Sequence, residues 1–89
     1  MREYGRSSPL RLQFGLAVKK QRTAIGITQE ELAERAELHR TYITDIERGT
    51  RNPTLETMWN IALALGTNLP TLLSFHKTGS ASSDPDLKN

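Results

Sequence analysis

Apolar residues fall at helical spacing in five stretches, with glycine, proline or short polar residues between them. Phe14, Val18 and Ile25, with Ala17 beside them, predict a first helix from about Leu10 to Ala24, its stripe interrupted by Gln21 and its end set by Gly26. The second has a strong start. Thr28 is a suitable N-cap, Glu31 three residues on completes a capping box, and Ile27 with Leu32 forms a hydrophobic staple. Leu32, Ala33 and Ala36 give this helix a narrow apolar face that stops near Glu37. A third helix is predicted from about Arg40 to Arg48. Steps of about 100° place Ile43, Ile46 and Glu47 on one side and Arg40, Thr41, Thr44, Asp45 and Arg48 on the other, with Tyr42 at the boundary.

Gly49 ends that helix, and residues 50–53 read as a loop. Thr54 caps a fourth helix whose core stripe is Leu55, Met58, Ile61, Ala62 and Leu65, and Gly66 closes it. Asn68 caps a short fifth helix carrying Leu69, Leu72 and Leu73, where Pro70 is tolerated in the first turn. No stretch alternates as a strand would. The expected fold is therefore all-α: a five-helix bundle containing a helix-turn-helix. Residues 1–9 read as a loose N-terminal arm, 10–75 as the folded domain, and 76–89 as a disordered polar tail.

Composition adds limits. With 89 residues the chain has room for one core, and it has no cysteine, so neither disulfides nor thiolate metal sites can staple it. That suits a reducing compartment, and the expected location is the cytoplasm, at the nucleoid. No apolar run approaches the ~18 residues that cross a bilayer. Twelve basic residues against ten acidic leave a net charge of only +2, which says little about partners. Placement says more. Acids cluster in Glu30, Glu31, Glu34 and Glu37, while bases gather in Lys19, Lys20 and Arg22 and again in Arg40, Arg48 and Arg51. Uneven placement can give a near-neutral molecule one basic face, although ordinary solvated helix surfaces look the same by charge alone. There is no phosphate-binding glycine loop, no metal-ligand spacing and no nucleophile–base pair, so neither an enzyme nor a cofactor or metal is expected.

Two short helices joined tightly, the second with a polar, basic outer face, are the parts of a helix-turn-helix, which here runs from about Thr28 to Arg48. The string GITQEELAERAELHRTYITDIERGTRNPTLETMWNIALALGTNLPTLL resembles the phage-repressor and Cro-type (XRE) helix-turn-helix family, over about Phe14 to Phe75. Within that family HRTYITDIERGTRNPT is most similar to the controller proteins of restriction–modification systems. The resemblance implies operator binding by a homodimer on inverted half-sites of double-stranded DNA, in a regulator of its own gene and a linked endonuclease. A phage or plasmid repressor and a DNA-binding antitoxin are the neighbouring alternatives, and an interaction module that does not read DNA is a distant one.

The resemblance assigns Gln29 to a DNA phosphate, at a helix N-terminus that favours anions. It also pairs Arg22 with Glu47 as a largely buried structural ion pair. Arg40 and Thr41 open the third helix, where side chains reach base edges. Arg40 can pair with O6 and N7 of guanine or clamp a phosphate, and Thr41 can present its hydroxyl or its methyl. Thr44 and Asp45 lie one turn on. Asp45 can accept from cytosine N4, or can orient Arg48 or Thr41. Arg48, Arg51 and Asn52 are expected at the sugar-phosphate backbone, which positions without reading sequence, and Tyr42 packs along the helix edge with its hydroxyl in reach of a phosphate. His39 stands at the N-cap of the third helix, where imidazole caps poorly and is also within reach of a phosphate. For the dimer interface the candidates are Trp59, Leu63, Leu69, Leu72 and Phe75, with Trp59 as simple core filler the competing view. No small-molecule substrate is indicated.

Overall fold

A computed structural model describes residues 8–76. Among them are five α-helices and no strand: α1 (Pro9–Ala24), α2 (Gln29–Ala36), α3 (Arg40–Arg48), α4 (Leu55–Ala64) and α5 (Leu69–Leu72), followed by one 3-10 turn, Ser74–His76. Local chemistry accounts for most of the boundaries. The Thr28 hydroxyl accepts from the Glu31 N–H at 3.0 Å, and the Glu31 carboxylate accepts from the Thr28 N–H at 2.8 Å, which closes the capping box. Thr54 and Asn68 cap α4 and α5 from one side only, accepting from the N–H groups of Thr57 and Thr71. Gly49 ends α3 at a φ of 79°, a left-handed turn that costs a glycine little.

The first helix starts one residue earlier than expected. Ser8 accepts from the Arg11 N–H, and Pro9 is the first helical residue, where its missing N–H costs nothing. Both belong to α1 and not to the arm. The rest of the arm, 1–7, and the tail after His76 lie outside the described residues.

Phe14, Val18, Leu32, Ile43, Ile46, Ile61, Ala62, Leu65, Leu69 and Leu72 make one core. Two positions expected in apolar stripes are exposed instead. Ile25 is the C-cap residue of α1 and has left the helical face, and Leu55, the first residue of α4, projects past the end of the core. Conversely, Gly15 is buried in the middle of α1, and a Cβ there would collide with the Ile46 carbonyl oxygen and stand 2.9 Å from that of Glu47. The absence of a side chain lets α1 lie directly on the backbone of α3.

Candidate nucleic-acid interface

Three residues, Glu37 to His39, separate α2 from α3. Glu37 takes a left-handed conformation, φ 59°, without being glycine. His39 is the N-cap of α3 and makes no side-chain cap hydrogen bond, as an imidazole at that position leads one to expect. It is exposed, as are Arg40 and Thr41 beside it.

The inner side of α3 is fixed by a chain of polar contacts. Arg22 on α1 donates from Nε to Glu47 Oε2 at 2.7 Å and from Nη2 to Oε1 at 3.1 Å, a two-pronged pair, while its Nη1 reaches the Ile27 carbonyl at 2.9 Å. The side chains are only 11% and 5% exposed. The hydrogen bond to Glu47 raises the Arg22 pKa, reinforced by the charge of Glu47 and opposed by burial. Gln29, first residue of α2, joins the chain: its Nε2 donates to Glu47 Oε1 at 2.9 Å, and its Oε1 accepts from the Thr44 hydroxyl at 3.0 Å. Both ends of the Gln29 amide are thus engaged within the protein.

Outside, Arg40 meets Glu30 only at 3.9 Å, and both side chains are largely exposed. Such a pair is weak and easily broken. Asp45 behaves differently from expectation. Its carboxylate holds Arg51 at 3.1 Å rather than Arg48 or Thr41, and the Arg51 guanidinium lies 4.5 Å from the centre of the Tyr42 ring. Helical-neighbour spacing could not reach this pair, because Arg51 is six residues on and beyond the turn at Gly49. Asn52 is exposed in the same loop, and Arg48 is exposed on the last turn of α3. Arg40, Thr41, Thr44, Asp45, Arg48 and the Arg51 loop therefore share one side of the molecule, whereas Arg22 and Glu47 lie beneath it.

The five residues expected at a dimer interface divide. Trp59 (51% exposed) and Leu63 (57%) stand out from α4, and Leu55 (68%) extends their line, the three recurring every fourth residue. Leu69 and Leu72 are buried in the protomer's own core, where the short α5 uses its leucines as a lid. Little of either side chain is left on the surface. Phe75 is half-buried against the same core. Among the described residues no His, Asp or Glu cluster could hold a metal ion, and no helix is long and apolar enough to cross a membrane.

Comparison with known proteins matches residues 18–72 to a family described as helix-turn-helix. Control protein C.BamHI of Bacillus amyloliquefaciens is 46% identical over 71 residues, covering 79% of this chain and 88% of that protein. The restriction–modification controller protein C.AhdI of Aeromonas hydrophila superposes with a TM-score of 0.68 at 37% identity, over 70% of this chain and 94% of that one. The controller protein C.Esp1396I, solved as a tetramer with its natural 35-base-pair operator, superposes with a TM-score of 0.71 at 35% identity, over 76% and 90% of the two chains.

Proposed function

The chain belongs to the helix-turn-helix family and, within it, to the restriction–modification control proteins, and we propose that it regulates transcription by binding an inverted-repeat operator as a homodimer. One observation carries the reading. The outer face of α3 gathers Arg40, Thr41, Thr44 and Asp45, while the inner face is clamped to α1 and α2 through Glu47. A rigid helix with a polar outer face is what major-groove reading requires.

The roles follow from position. Arg40 reads a guanine edge, and Thr41, Thr44 and Asp45 complete the base-facing set. Arg48, Arg51 and Asn52 meet phosphates beyond the end of α3, with Tyr42 beneath Arg51 and His39 at the other end. Gln29 acts mainly from within, by holding Thr44 and Glu47. One α3 helix contacts too few base pairs to single out one site in a genome, and pairing through Trp59, Leu63 and Leu55 sets two such helices about one turn of DNA apart.

Selection of duplexes from a random pool by the full-length protein tests this. The enriched sequences are expected to be inverted repeats, bound with a steep inverse dependence on salt. No affinity for any duplex even at low salt would overturn the proposal.

A further inference from the structure

Beneath α3 chemistry fixes which groups donate and which accept. Glu47 is held by the Arg22 guanidinium and, as a carboxylate, only accepts. Gln29 must therefore turn its Nε2 toward Glu47, and its Oε1 is left facing Thr44. The Thr44 hydroxyl has one proton. It lies 3.0 Å from Gln29 Oε1 and 3.1 Å from the Arg40 carbonyl oxygen. Whichever acceptor takes that proton, it stays inside the protein and cannot be donated to a base. With its proton committed inward, Thr44 can offer the groove only acceptor lone pairs on its oxygen and its methyl group, one helical turn past Arg40 and Thr41.

We infer that Thr44 reads DNA through this methyl and selects a 5-methylpyrimidine, thymine or 5-methylcytosine, at one position of each half-site. The inference rests on the operator-binding reading above. The C5-methyl is the one apolar group that a base pair displays in the major groove, and only A·T pairs carry it in unmodified DNA. Burying one methyl against another is expected to change affinity about three- to five-fold.

The experiment uses the duplex enriched from the random pool, with each thymine replaced in turn by uracil, which differs only in lacking that methyl. One position per half-site is expected to lose about three- to five-fold in affinity, and cytosine bearing a 5-methyl there to bind better than plain cytosine. Thr44→Val keeps the methyl and is expected to retain the discrimination against uracil, even if overall affinity falls. Thr44→Ser keeps the hydroxyl and is expected to lose it. The uracil scan on the unaltered protein needs neither variant to fold. Binding that is indifferent to uracil at every position overturns the inference alone. Discrimination kept by serine and lost by valine would place the reading on the oxygen and also overturn it. Failure to bind any duplex overturns the operator reading, and this inference with it.

Discussion

At Arg40 only a 3.9 Å contact with Glu30 holds an otherwise exposed guanidinium, so the proposed base contact gives up little. Arg40→Ala is expected to cost about 1–3 kcal/mol in operator binding and to relax the preference at one base pair, read by affinity across operators varied at that pair. An equal loss on every sequence would make Arg40 a phosphate clamp. Glu47 lies at the opposite extreme. Its replacement by alanine strands the Arg22 guanidinium and one end of the Gln29 amide, and is expected to destabilise the fold by about 3–5 kcal/mol in urea unfolding. A change under about 1 kcal/mol would show that the pair does not hold α1 to α3. On the alkaline side, the raised Arg22 pKa keeps the guanidinium charged, so its share of this contribution fades only as pH climbs through that raised value. The ion pair was legible through the family resemblance of its two residues. The Gln29–Thr44 contact was not, because the two stand 15 residues apart on different helices and no periodicity links them.

Between α1 and α3 the decisive residue is a glycine. Alanine at position 15 would gain about 1 kcal/mol of helix propensity. It would also drive a methyl into the backbone of Ile46 and Glu47, which cannot move aside as a side chain can. Overpacking wins, and Gly15→Ala is expected to be net destabilising by about 1–3 kcal/mol, measurable as a lowered urea midpoint with an unchanged slope. A neutral or stabilising result would mean that α1 can shift off α3 at little cost. Sequence reasoning passed over Gly15, because a glycine inside a helical stretch is silent about what approaches it. It did better wherever an element announces itself locally. The capping box at Thr28, the caps at Thr54 and Asn68 and the stop at Gly49 depend on residues within three or four positions of one another. Leu55 shows the limit: its spacing fits the α4 stripe, yet a residue at the first position of a helix overhangs the core.

For the whole molecule, the division of the leucines bears on where a second copy sits in the proposed dimer. Leu69 and Leu72 close the protomer's own core, and of the apolar residues left exposed the proposal takes the line on α4 rather than Leu12 and Leu16 on α1. Replacing both Trp59 and Leu63 by aspartate is expected to give a folded monomer by sedimentation, with unchanged helix content and operator affinity lowered on the order of 10²-fold or more. A dimer that survives both changes would move the interface elsewhere. Which leucines face inward depended on how α5 folds back over the core, a tertiary fact that a stripe of spacings does not contain. The tie between Asp45 and Arg51 also acts at this scale. On the proposed reading the Asp45 carboxylate repels every phosphate alike, and it competes with each phosphate for the Arg51 guanidinium it holds. Wrong sequences therefore gain less from this surface than its arginines suggest, and the protein leaves them sooner. The same carboxylate that weakens the grip shortens the search, because time not spent on the rest of the genome is available for finding the operator.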